Sequence, residues 1–263
     1  MVQLFRFLEH LILQTFHGTN VTTVTNLQYK TSGMTDWDNY DIDNPIEIKL
    51  EKQGDFVKFK ADEFYAIDTN TFNQFNFTKN VSIAGPLNSL NLKASSDDIN
   101  YMNLFKQCST LIDASELILS ETVTTNCYRN MFNGCTGLTK APKLPATTLA
   151  NTCYYYMFKD CTSLTAAPEL PAITLANKCY QSMFAGCSSL TAAPDLPAIE
   201  LAKNCYQNMF ANCTLLSSVN VSFESWGSNY EFTSGWLSNV AENGIFTGPT
   251  SLITELTGAD TYP

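Results

Sequence analysis

Residues 153–176 read CYYYMFKDCTSLTAAPELPAITLA, and the fold turns on this stretch. Residues 127–150 (CYRNMFNGCTGLTKAPKLPATTLA) and 179–202 (CYQSMFAGCSSLTAAPDLPAIELA) repeat it. A fourth copy opens at Cys205 as CYQNMFANCTLLSSVNVSF and then diverges. A degenerate copy, NYMNLFKQCSTLIDASELILSETV, precedes them, with Tyr101 and Cys108 standing 27 residues before Tyr128 and Cys135. Cys127, Cys153, Cys179 and Cys205 form one series, and Cys135, Cys161, Cys187 and Cys213 a second, both with a period of 26. A fixed period between about 20 and 50 residues marks a repeat architecture.

Within one unit Leu149, Ala150, Cys153, Tyr154, Met157 and Phe158 are pairs stepped by four, which predicts one apolar stripe on a helix. Thr147 or Thr148 would cap its start, and Pro145 lies just outside it. Gly134, Asp160, Gly186 and Asn212 tolerate the left-handed conformation that ends a helix. A short strand would follow, with Leu164, Ala167 and Leu170 inward, kept short by Pro142, Pro168 and Pro194. The expected fold class is therefore an α/β repeat solenoid, a leucine-rich-repeat stack of one helix and one short strand per coil. Helices pack wider than strands, so such a stack would bend with the strands on its concave side.

The consensus CYxxMFxGCTSLTxAPxLPAxTLA resembles the BspA-like leucine-rich repeat of surface proteins from anaerobic gut and oral bacteria. The resemblance covers residues 100–221. The segment LQYKTSGMTDWDNY followed by IEIKLEKQGDFVKFKA is similar to the small β-domain that often precedes such repeats, and SGWLSNVAENGIFTG to their C-terminal cap. The resemblance implies extracellular recognition or adhesion and carries over no catalytic residue.

The flanks complete a four-part organisation. Residues 1–18, MVQLFRFLEHLILQTFHG, predict an amphipathic helix that could serve as an anchor. Glu9 and His10 interrupt the apolar run and no small-residue cleavage site follows, so a secretory signal is not expected. Residues 19–95 form a small β-rich, sandwich-like domain, with strands over Val21–Tyr29, Ile46–Leu50 and Phe56–Phe59. Residues 96–222 hold five coils, with Val81, Ile83, Leu87 and Leu90 beginning an N-terminal cap. Residues 223–263 form a C-terminal cap, with a short helix at Trp236, Leu237 and Val240 and a strand at Ile245-Phe246. Terminal repeats must shield an open core.

Composition narrows the function. Hydrophobic residues make up 44% of the 263, enough for a core, while the net charge of −10 argues against nucleic acid and anionic lipid. No apolar run reaches the length of a membrane-spanning helix. Two His residues and no phosphate-binding loop argue against an enzyme, and no cofactor or metal is expected. The nine cysteines read as buried free thiols, since neither metal-site spacing nor good disulfide geometry is evident. Tyr128, Tyr154, Tyr180 and Tyr206 read as core rather than as a ligand platform.

Binding is expected on the outward face of the repeats, at Thr139, Lys140, Lys143, Thr165, Glu169, Thr191 and Asp195, a surface graded from basic to acidic. Asp36, Asp38, Asp41 and Asp43 lie in a hairpin loop, where Trp37 and Tyr40 could stack on a glycan ring. Expected partners are a protein or glycan ligand, with self-association or a larger assembly through the N-terminal helix. Two settings stay open: an adhesion or display module on a bacterial surface, and a decoration, fibre or tail protein of a bacteriophage particle. Both are extracellular.

Overall fold

The computed structural model describes residues 3–7, 11–12, 24–25, 28–39, 47–48, 56–60, 63–66, 75, 80–87, 92–94, 101–226 and 232–255. The strands are β1 (Gln3–Phe7), β2 (Leu11–Ile12), β3 (Val24–Thr25), β4 (Gln28–Thr31), β5 (Asp38–Asn39), β6 (Glu47–Ile48) and β7 (Phe56–Lys60). They continue as β8 (Glu63–Ala66), β9 (Val81–Pro86), β10 (Leu92–Ala94), β11 (Leu111–Ile118), β12 (Ser218–Asn220) and β13 (Ile245–Thr247), and α1 is Thr250–Glu255.

A six-stranded sheet runs β11-β9-β1-β7-β4-β5. β1 lies inside it, antiparallel to β7 (Leu4 opposite Lys58) and to β9 (Leu4 opposite Ala84). The N-terminal helix expected over 1–18 is thus overturned: its first described residues are an interior strand. QLFRF alternates and carries two Phe, which suits a pleated surface paired on both sides better than an isolated helical turn. The sheet also crosses the expected boundary at residue 95. β9, with Val81 and Ile83 buried, pairs in parallel with β11, which belongs to the degenerate first repeat. Leu90 lies outside the described residues.

The repeats depart furthest from expectation. Among the described residues no α-helix and no regular strand lies between Ile118 and Ser218, so the helix-plus-strand leucine-rich-repeat solenoid is overturned. The segment Asn126–Cys135 is instead a chain of overlapping turns. Arg129, Met131, Asn133 and Cys135 each donate an N–H to the carbonyl three residues back, at 3.0–3.2 Å. The alternate amides point the other way. Those of Asn126, Tyr128, Asn130, Phe132 and Gly134 donate to the carbonyls of Asn151, Cys153, Tyr155, Met157 and Lys159 in the next repeat, at 2.8–3.2 Å. The same five-rung ladder recurs from Thr152–Asp160 to the third repeat and from Lys178–Gly186 to the fourth. Every backbone donor in these segments is therefore used, which a buried chain requires.

The turns close because every fourth residue is left-handed. Asn126, Asn130 and Gly134 have φ of 61°, 55° and 76°, and Thr152, Tyr156 and Asp160 have 56°, 58° and 59°. Of thirteen such non-glycine residues among those described, seven are Asn, the side chain that best tolerates this region. The residues expected to end a helix are left-handed, but the chain goes on turning through the same conformation four residues earlier and eight earlier. With no helix present, the spacing mismatch that would have bent the stack does not arise.

This geometry sends residues i, i+1, i+4, i+5 and i+8 inward, and the sequence supplies Cys, Tyr, Met, Phe and Cys there. All are buried in each full repeat. The rings stack in two columns. Tyr101, Tyr128, Tyr154, Tyr180 and Tyr206 follow at 5.5–6.1 Å with interplanar angles of 6–9°. Phe105, Phe132, Phe158, Phe184 and Phe210 follow at 5.4–5.7 Å and 1–9°. Each such pair adds about 0.5–1.5 kcal/mol beyond area burial. Phe75 covers the N-terminal end of the Phe column at 5.7 Å.

The second half of each unit buries Leu164 and Leu170 and half-buries Ala167, as expected, but in irregular chain. Only single bridges join neighbouring units there, such as Thr148 with Thr174 and Leu196 with Val221. Gly137 answers a close approach to the first coil: a Cβ there would lie 2.2 Å from the Ser109 carbonyl oxygen.

At the C-terminal end the short helix expected around Trp236 is also overturned. Residues 232–239 form one more turn segment, with Gly235 and Asn239 left-handed at φ 66° and 59°. The expected strand at Ile245-Phe246 is β13, parallel to β12. Phe223, Trp226, Trp236 and Phe246 pack edge and face at 5.4–6.4 Å, and the Trp226 indole N–H donates to the Leu252 carbonyl at 3.3 Å.

Candidate functional site

The turn ladder uses up the backbone, so what a repeat can offer a partner is its side chains in register. Thr139, Thr165, Thr191 and Ser217 form one exposed row at the 26-residue period. Lys140, Ala166, Ala192 and Ser218 form a second, and Lys143, Glu169 and Asp195 an exposed third. All seven repeat residues expected to bind are exposed and share this surface.

Several of them are tied. The Thr139 hydroxyl donates to the Ile112 carbonyl at 2.8 Å, and the Thr139 amide to the same oxygen at 2.9 Å. Lys140 pairs with Asp113 of β11 at 3.1 Å. Burial pushes the Asp113 carboxyl up, but hydrogen bonds from the Ser115 hydroxyl (2.7 Å) and amide (2.9 Å), together with Lys140, outweigh it and hold the carboxyl below its ordinary range. At the other end Asn220 donates to Asp195 at 2.8 Å. Lys143, Thr165 and Glu169 stand between these fastened ends. Asp113 and Asn220 thus belong to the face; Asn220 is among the outward positions that the repeat pattern projects, whereas the sequence reading missed Asp113, and the offset of 27 between the degenerate copy and the first full repeat, projected back from Lys140, is the signal that could have found it.

Trp37 does not join this face. It is half-buried in the β4–β5 hairpin, with Asp36 and Asp38 exposed beside it. That hairpin edge is five strand steps from β11, roughly 24 Å at ~4.8 Å per step. Tyr40, Asp41 and Asp43 lie outside the described residues.

A different surface was also missed. Tyr155 and Tyr156 touch at 3.9 Å between ring centroids, with Arg129 4.9 Å over Tyr155 and Lys159 5.2 Å over Tyr156. Burial, then the neighbouring Tyr156, pushes the Tyr155 phenol up to about 12. The run Tyr154-Tyr155-Tyr156 occurs in one repeat only, and that departure from the period was the available signal. Ile173 and Ile199, one period apart, are each 63% exposed.

The cysteines are free and buried. Cys135, Cys161, Cys187 and Cys213 donate their thiols to the carbonyls of Phe105, Phe132, Phe158 and Phe184 at 2.9–3.1 Å. Burial pushes Cys153, Cys205 and Cys213 up to about 12, which makes them poor nucleophiles. The Tyr column is core, as expected; the Tyr128 hydroxyl accepts the Ser120 amide at 3.0 Å. Among the described residues no group of three or more His, Cys, Asp or Glu is placed to hold a metal ion, and no helix is long and apolar enough to cross a membrane.

No protein-family model, curated protein or solved structure matches this chain.

Proposed function

We propose that the protein is a non-enzymatic recognition or adhesion module that binds a protein or glycan ligand through the exposed repeat rows, outside the cell. One observation carries this reading: Thr165, Thr191, Glu169 and Asp195 are exposed and in register on segments whose adjoining turns are fixed by the inter-repeat ladder. A rigid, polar, graded surface lowers the ordering cost of binding. The resemblance of the repeat sequence to BspA-like surface proteins supports the same reading. The particle-borne alternative drew on an N-terminal docking helix; those residues contribute β1, so it loses that support.

The test is a paired binding screen. The chain and a Thr165→Arg/Thr191→Arg variant are probed on a glycan array and against extracellular protein fractions. The reading expects ligands that bind the first and lose at least tenfold affinity for the second, with thermal stability unchanged. Ligands that bind both equally would place recognition elsewhere.

A further inference from the structure

Each repeat passes alternate amides to the carbonyls of the next, so the last coil should end in donors. The carbonyls of Phe232, Ser234, Trp236 and Ser238 accept from Tyr206, Asn208, Phe210 and Asn212 at 2.7–3.0 Å. The amides next in line are Thr233, Gly235, Leu237 and Asn239. Among the described residues none of the four meets an acceptor. Thr233 is buried, Gly235 and Leu237 are half-buried, and Asn239 is exposed. Leu237 and Val240 stand where Phe210 and Cys213 stand one unit earlier, yet those two are 0% exposed. The buried Trp236 indole nitrogen also has no partner. Beside this edge lies a cavity of about 520 Å³, lined by Trp236, Leu237, Val240, Ala241 and Phe246, with Ile245 71% exposed at its rim. That volume is within the range of ligand-binding clefts.

We infer that the C-terminal end of the repeats is a docking edge for a polypeptide segment of a partner protein, whose alternate backbone carbonyls engage Gly235, Leu237 and Asn239 and whose apolar side chain fills the cavity. The cavity reaches Ser217 and Ser218 at the C-terminal end of the exposed rows, but none of Thr139, Thr165, Glu169, Thr191 and Asp195 lines it.

The chemistry selects the occupant. The ladder positions left open at this edge are all amide donors, so two copies meeting tail to tail would set N–H against N–H. A head-to-tail copy is blocked, because the Leu104 carbonyl already takes the Phe75 amide at 2.8 Å and the Phe75 ring covers Phe105. An anion is disfavoured: the cavity lining includes Glu242 and no cation, in a chain of net charge −10. What remains is a neutral row of acceptors at two-residue spacing beside an apolar group. A polypeptide segment that adds to the ladder edge through alternate carbonyls supplies both.

The probe is the peptide NKCYQSMFAGCSSL, residues 177–190 of this chain, which fills the equivalent place inside the array. It is titrated into the full chain and followed by amide NMR shifts and hydrogen exchange. Saturable shifts centred on Gly235, Leu237 and Asn239, with exchange there slowed at least tenfold, are expected. A scrambled peptide should not reproduce them. Ala241→Trp, which fills the cavity, should weaken binding at least tenfold while circular dichroism stays unchanged; if that variant misfolds, the exchange result on the unaltered chain decides. No shift at the three amides, equal binding of the scrambled peptide, or shifts on the Thr165–Thr191 face instead would overturn the inference, and the last outcome would leave the proposed recognition surface intact.

Discussion

The Cys161 thiol donates to the Phe132 carbonyl at 3.1 Å across a repeat boundary, and that same oxygen accepts the Cys135 amide at 3.0 Å. One carbonyl thus joins a turn within a repeat to the core of the next. The second cysteine series recurs because a small apolar side chain with a donor is needed there. Cys161→Ala should cost about 1–2 kcal/mol, the scale of a lost buried hydrogen bond plus a small void. Chemical denaturation measures it; a cost near zero would show that the thiol is mere filler.

All nine thiols should be slow to react in the native protein and rapid once it unfolds. A thiol reagent added with and without denaturant gives the count. Several disulfides by mass spectrometry would contradict the structure.

Alkaline pH should unfold the chain. The folded thiols of Cys153, Cys205 and Cys213 are raised from 9.0 to about 12 by burial, so between these values the folded state holds protons that the unfolded state has lost. Stability is full below the unfolded value and falls as pH rises through the folded one. The slope should approach ~1.4 kcal/mol per pH unit for each such thiol. Denaturant midpoints from neutral pH to 11 test this, and a flat profile would refute it.

Phe158→Ala removes one member of a continuous ring column and should cost about 3–5 kcal/mol. The loss should spread to neighbouring repeats, because ladders and columns cross every boundary. A cost below ~1 kcal/mol would contradict the burial of this ring.

How much of this was legible can be argued from a few positions. The period, the inward set Cys153, Tyr154, Met157 and Phe158, and the left-handed Gly134 and Asp160 were all readable. The element type was not. A spacing of four fits a helix of 3.6 residues per turn over so short a segment, and the two readings separate only over longer runs. The discriminating signal was Asn126, Asn130 and Gly134, or Asn204, Asn208 and Asn212: residues favouring positive φ at every fourth place, poor choices for a helix interior. Thr152, Tyr156 and Lys178 hid it, since the ladder imposes the conformation on residues that do not prefer it. In the same way β9 and β7 decide that Gln3–Phe7 is a strand, and neither partner is visible locally. Of the site, the exposed rows were legible; their fastening to Asp113 and Asn220, and the unpaired amides of the last coil, arise only from register between distant residues.

Tyr156 occupies a left-handed site at φ 58° where the adjacent repeats have Asn130 and Ser182. Replacing it with Asn should relieve roughly 1 kcal/mol of backbone strain, set against the lost contacts with Tyr155 and Lys159. Tyr156→Asn is therefore expected to be near neutral in thermal unfolding, where Tyr154→Asn, in the buried column, should be severely destabilising. Equal losses at the two sites would show that Tyr156 is not left-handed.

Scalar couplings across hydrogen bonds test the central claim most directly, by naming the acceptor of each amide. The turn ladder predicts a coupling from the Tyr154 amide nitrogen to the Cys179 carbonyl carbon, and from Phe158 to Met183, across the repeat boundary. A helical repeat would instead couple Tyr154 to Ala150 and Phe158 to Tyr154, four residues back, and that result would contradict the account.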